Sequence, residues 1–135
     1  MRTLTRIAAV MILFLGFGCN RESAHNAASE EEFAHKVLEA QQPVLVDFYA
    51  DWCGPCRRLS PVLERIAQDY IGKATLVKIN VDHSPKLATR YQIQSVPTVI
   101  LFVDGRAKRR WSGIQPEKTY RAALNEAIRN NGEEE

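Results

Sequence analysis

A chain of 135 residues that is 45% hydrophobic and 25% charged lies inside the ordinary globular range, where one compact domain with its own core is the default. Its formal net charge of +2 excludes the concentrated cationic field on which nucleic-acid or acidic-polymer binding runs, so no nucleic-acid partner is expected. Three cysteines are too few for a disulfide-stapled miniprotein; they divide into a lone Cys19 and the close pair Cys53 and Cys56.

From the start of the chain, Arg2 and Arg6 precede the apolar run Ile7 to Phe17, which ends in the small-x-small stretch Gly16-Phe17-Gly18. Residues 1–18 therefore read as a secretory signal peptide. The run is shorter than the ~20 residues a spanning helix needs, which makes a permanent transmembrane anchor the weaker reading. Cys19 resembles the lipidation cysteine of bacterial lipoproteins, which would carry a diacylglycerol thioether after cleavage behind Gly18. The match departs at Gly16, three positions before the cysteine, where those proteins usually have leucine; here Leu15 is one place earlier. Ordinary cleavage at the same bond, leaving Cys19 as a free thiol, is the alternative. Both readings export the domain to the periplasmic or another extracytoplasmic side, and the first attaches it to a membrane.

Residues 19–29 are small and polar without an apolar period and read as a tether. The domain is expected over 30–131. Ser29 and Glu32 have capping-box spacing, and Phe33, Val37 and Leu38 recur at helical intervals before Pro43, predicting a first amphipathic helix. Val44 to Ala50 is β-branched and aromatic, a strand buried on both faces. Leu59, Val62, Leu63, Ile66 and Tyr70 then keep a helical period from Pro55 onward, with Pro61 expected to kink it. Thr75 to Val81 alternates as a strand, and Ser84-Pro85 opens a short helix through Tyr91. Thr98 to Val103 is a buried-type strand, Asp104-Gly105 a hairpin signal, and Arg106 to Trp111 its antiparallel return. The basic run Arg106, Lys108, Arg109 and Arg110 suits an edge strand guarded by cations, with steering of acidic partners or lipid as the other reading. Pro116 opens a last helix carrying Tyr120, Leu124 and Ile128; Gly132 is expected just past its end, and 132–135 form an acidic tail. The order predicts an α/β fold, a three-layer α/β/α sandwich around a mixed sheet of four to five strands.

The chemistry starts where the first strand gives way to a helix. Unpaired N–H groups and the macrodipole at a helix N-terminus stabilise a thiolate, the form that attacks disulfides, so Cys53 is expected as the nucleophile. Cys56, one turn on, can reach the sulfur of a mixed disulfide and is expected as the resolving thiol. Gly54 lets the turn form, and Pro55 fixes a helical φ where its missing N–H matters little. A CxxC is also half of a zinc site, but His25, His35 and His83 show no paired spacing to complete one, and no metal is expected.

The stretch Val46-Asp47-Phe48-Tyr49-Ala50-Asp51-Trp52-Cys53-Gly54-Pro55-Cys56, with Pro61, Ser95-Val96-Pro97-Thr98, Asp104-Gly105 and Gly113, closely resembles the thioredoxin family from about Glu31 to Asn130. The resemblance implies the thioredoxin fold and a redox-active Cys53–Cys56 disulfide that needs no cofactor. It implies that Asp47 is a buried acid relaying the proton of Cys56, and that Lys78 pairs with and tunes that acid, a snorkelling surface lysine being the alternative. Val96-Pro97 resembles the cis-proline loop lying against the cysteines, and with Trp52, Gly54, Pro55 and Gly113 it would form the substrate-binding rim. Trp52 is expected to shield the attacking sulfur. Two departures stand out: Trp111-Ser112-Gly113 is bulkier than usual, and an apolar first strand is missing before the first helix. The expected activity is a monomeric dithiol reductase of oxidised extracytoplasmic proteins, re-reduced by a membrane thiol-disulfide carrier. A disulfide oxidase or isomerase is the alternative within exchange chemistry, and a thioredoxin-fold holdase the alternative outside it.

Overall fold

A computed structural model describes residues 29–132; the signal segment 1–18, Cys19, the tether up to residue 28 and the tail beyond 132 lie outside the described residues. The first helix, α1 (Glu30–Phe33), is capped by the Ser29 hydroxyl, which accepts the Glu32 N–H at 3.0 Å, and three glutamates occupy its first turn, where the macrodipole favours them. The sequence suggests a continuous α-helix here, but Ala34–Leu38 forms a π-helical turn closed by the Glu39 N–H on the Ala34 carbonyl at 3.0 Å. The widened turn still buries both Phe33 and Val37.

The remaining elements are β1 (Val44–Tyr49), α2 (Gly54–Asp69), β2 (Thr75–Asn80), α3 (Pro85–Arg90), β3 (Thr98–Val103), β4 (Arg106–Ser112) and α4 (Glu117–Gly132). Gly132 closes α4 rather than following it. Pro61 lies on the exposed side of α2, where a lost backbone donor can be replaced by water. Among the described residues the sheet has four strands in the order β2-β1-β3-β4, with β1 parallel to β2 and antiparallel to β3. Four strands among the described residues is the lower end of the expected range.

Both central strands are buried on two faces, as their unbroken apolar runs require. On one face Leu45, Val99 and Leu101 pack with Leu59, Leu63 and Ile66 of α2 and Tyr120 and Leu124 of α4. On the other, Val46, Phe48, Ile79, Ile100 and Phe102 meet Phe33, Val37 and Leu87, and Tyr91 stands edge-on to Phe102 at 5.3 Å between ring centroids. The outcome is the three-layer sandwich. Strand β4 forms one edge with Arg106 to Arg110 exposed, a cationic row that discourages pairing with a further strand. The Asp104-Gly105 turn joining β3 to β4 takes positive φ at both residues, 51° and 71°, the twist a tight hairpin needs.

Candidate active site

Strand β1 emerges from the sheet at Ala50, and the chain turns through the Cys53 N–H on the Ala50 carbonyl at 3.2 Å. Cys53 is the N-cap of α2: its Sγ accepts the Cys56 N–H at 3.2 Å and its carbonyl accepts the Arg57 N–H at 3.3 Å. A sulfur thus takes the place usually held by a Ser or Asp oxygen, with the orphan Cys56 N–H aimed at it. This donor and the helix macrodipole stabilise negative charge on Cys53 once the pair is reduced. Pro55 sits in the first turn, where its missing N–H breaks no bond. Cys53 and Cys56 form a disulfide with Cα atoms 5.3 Å apart.

The pair is buried, each residue 3% exposed, against Ala50, Tyr49, Val81 and Val96. The Val96–Pro97 peptide is cis, and the Val96 carbonyl lies 3.6 Å from Cys53 Sγ. Thr98 anchors this loop by donating its hydroxyl to the Ser95 carbonyl at 2.7 Å. Gly113, at φ 78°, donates its N–H to the Pro97 carbonyl at 2.8 Å. Cys53, Cys56, Val96, Pro97 and Gly113 are therefore one continuous neighbourhood.

Trp52 extends to the side. Its indole is 69% exposed and donates Nε1–H to Asp82 Oδ2 at 2.9 Å. The expected cover over the sulfur is thus a ring that turns most of its area to solvent. Asp82 is fixed in turn by its N–H on Asn80 Oδ1 at 2.9 Å, while Asn80 Nδ2 donates to Asp51 Oδ2 at 3.1 Å. Sequence reasoning missed these three polar residues; the available signal was Asn80 at the end of an apolar strand, where a buried amide needs partners.

Alternation along β1 puts Asp47 on the face of Leu45, the side covered by α2. It is 1% exposed, and neither carboxylate oxygen has a hydrogen-bond partner among the described residues. Burial pushes its pKa up from 3.8 to about 6, opposed by the positive charge of Lys78 and reinforced by Glu64. A carboxylate in this range is matched to proton transfer near neutral pH.

Lys78 corrects the expectation of a direct pair. It lies opposite Asp47 in the β1–β2 register, yet its ammonium bonds Ser60 Oγ and, at 3.1 Å, Glu64 Oε1 on α2. The lysine stem runs along the surface and leaves the charge in contact with water. Hydrogen bonds from Lys78 and Ser60 hold Glu64 below the usual carboxylate range.

Among the described residues no group of His, Cys, Asp and Glu is arranged to hold a metal ion. What the cluster can do is exchange electrons through sulfur: a helix-capping sulfur and a second sulfur one turn away, with a buried acid on the strand that leads into them.

Comparison with known proteins agrees with this chemistry. The sequence is 50% identical over 96 residues to thioredoxin M4 of Arabidopsis thaliana chloroplasts, covering 71% of this chain and 50% of that one. It is 42% identical over 102 residues to thioredoxin 1 of Nostoc sp. (strain PCC 7120), covering 76% and 95%, and 38% identical over 103 residues to a thioredoxin of Rickettsia felis, covering 76% and 98%. The chain spans only about half the length of the chloroplast proteins it matches. The family profile described as Thioredoxin matches residues 24–126, and with the Cys53–Cys56 disulfide at the head of α2 it establishes that the chain belongs to the thioredoxin family.

Proposed function

We propose that this protein is a dithiol reductase of oxidised extracytoplasmic proteins. The observation that carries the exchange chemistry is the Cys53–Cys56 disulfide capping α2 beside the Val96 carbonyl. In the reduced protein the Cys53 thiolate attacks one sulfur of a substrate disulfide; an S–S bond forms to Cys53 and the substrate's other sulfur leaves as a thiolate. Cys56 then gives its proton to Asp47 through water and attacks Cys53 Sγ. This closes the Cys53–Cys56 disulfide and releases the second substrate thiol, so two electrons have moved from protein to substrate. Both are carried by the cysteines, with no added cofactor. Trp52, Gly54, Pro55, Val96, Pro97 and Gly113 form the rim on which an extended substrate segment docks.

The extracytoplasmic setting is supported by Arg2, Arg6, the apolar run Ile7 to Phe17 and Cys19, read as a signal with a lipid-anchored cysteine. A reductant is then required on that side, and a membrane thiol-disulfide carrier supplies the chemistry. Cys56→Ser should stall covalent mixed disulfides on Cys53, identifiable by mass in an envelope fraction. Equilibration of the pair with glutathione should give a reducing couple; a strongly oxidising one defeats the reductase direction. Incorporation of labelled fatty acid should disappear in Cys19→Ser, and its absence from the wild type removes the anchor.

A further inference from the structure

The register between β1 and β2 sets Asp47 and Lys78 side by side. Neighbouring strands are about 4.8 Å apart and paired residues share a face, so a lysine here is placed to form an ion pair with the carboxylate. It does not: both Asp47 oxygens are buried without a hydrogen-bond partner among the described residues. The ammonium is held instead by Glu64 Oε1 at 3.1 Å, by Ser60 Oγ, and over the Tyr49 ring at 5.3 Å from its centroid. Ser60 also donates to Glu64 Oε1 at 3.0 Å, closing a triangle of three polar groups. The i, i+4 spacing of Ser60 and Glu64 places both on one stripe of α2.

We propose that Glu64 and Ser60 are positioning residues for the resolving step, holding the Lys78 ammonium on the solvent side of α2 so that the Asp47 carboxylate stays unpaired and free to accept the Cys56 proton. This rests on the reading of Asp47 as the proton acceptor given above. The titratable and charged groups that act on Asp47 are Lys78 from β2, Glu64 from α2 and Tyr120 from α4, while its β3 neighbour is the apolar Val99. Lys78 is the one cation among them. A direct ion pair would occupy the oxygen lone pairs that must receive the proton and would weaken the carboxylate as a base. Anchoring the ammonium on α2 leaves it acting on Asp47 only through space.

The test is a cycle of four proteins: wild type, Ser60→Ala with Glu64→Gln, Lys78→Gln, and all three substitutions together. The Asp47 titration is followed by carboxyl-carbon NMR on the oxidised form, which needs no substrate. Freeing Lys78 should lower the Asp47 midpoint by about one pH unit, and the same two substitutions should lower it by clearly less once Lys78 is glutamine, since only the Glu64 charge, which raises the Asp47 pKa, is then lost. An equal fall in both backgrounds, which is the direct loss of the Glu64 charge, overturns the proposal, as does no fall in either. In single-turnover reduction of a disulfide, the pH midpoint of the resolving phase should shift to lower pH in the Lys78-containing double variant alone. A wild type that opens no disulfide refutes the function, while the NMR cycle still decides the positioning.

Discussion

At the scale of single residues, Asp47 is where stability and chemistry oppose each other. Its pKa rises from 3.8 to about 6 on folding because burial disfavours the charged form. A raised carboxyl pKa means the folded state holds the proton more tightly than the unfolded state. The favourable contribution is full below about pH 4 and is lost as pH climbs to about 6. At pH 7 the buried charge therefore costs about 3 kcal/mol relative to a neutral isostere. Asp47→Asn should raise the unfolding free energy at pH 7 by up to that amount and change it little at pH 4, while slowing the resolving step. Urea unfolding of the oxidised protein at the two pH values checks this; an equal gain at both would trace it to packing instead. Asp47 was legible in sequence because a carboxylate stands out in the run Val44 to Tyr49. The cysteines were legible through their spacing. Asp51, Asn80 and Asp82 were not, because polar residues at strand ends read as surface, and only the tertiary contact shows them holding Trp52.

At the scale of elements, the hairpin between β3 and β4 shows local and distant constraints acting on one glycine. Gly105 needs φ 71° for the turn, and a Cβ built there would overlap the Leu38 carbonyl at the end of the π-helical turn. The left-handed conformation alone costs a non-glycine residue about 1–2 kcal/mol, and the overlap adds to it because the obstacle is backbone. Gly105→Ala should therefore lower stability by about 2 kcal/mol or more, read from the urea midpoint. Asp104→Gly, which relieves the positive φ of the other turn residue, should leave it within about 1 kcal/mol of the wild type. The dipeptide announced the turn, since Asp-Gly favours positive φ. The approach of Leu38 was invisible, because it depends on the first helix widening into a π turn, and the spacing of Phe33, Val37 and Leu38 fits either form. Strands β1 and β3 were legible for the opposite reason: an apolar run of six residues buried on both faces has few other places to go.

At the scale of the whole molecule, two kinds of contact join α4 to the rest, and their magnitudes differ. Arg121 bonds Asp69 at 2.6 Å and Glu117 at 2.6 Å, and Arg65 reaches Glu117 at 2.8 Å, tying α2 to α4 across the surface. These carboxylates raise the Arg121 pKa further, but a guanidinium is already charged at every accessible pH, so the shift changes no protonation state. All four partners keep contact with water, where Coulomb gain is screened and side-chain entropy opposes it. Tyr120 is different: it is fully buried, packs edge-on to Trp111 at 5.2 Å, and its hydroxyl accepts the Gln115 N–H at 3.2 Å. It thus fastens α4 to the loop that runs back to Gly113 and the Pro97 carbonyl. Removing the ring opens a cavity and strands a donor, so Tyr120→Ala should cost roughly 3–5 kcal/mol. Arg121→Ala should leave the urea midpoint near that of the wild type, and added salt should shrink even that difference. Tyr120→Phe separates the two roles of the tyrosine: it keeps the packing and releases the Gln115 N–H, so stability should fall by about 1 kcal/mol. If the loop carries substrate, KM for a protein disulfide should rise with the hydroxyl gone, while the rate with a small-molecule disulfide, which needs no extended docking, should hold.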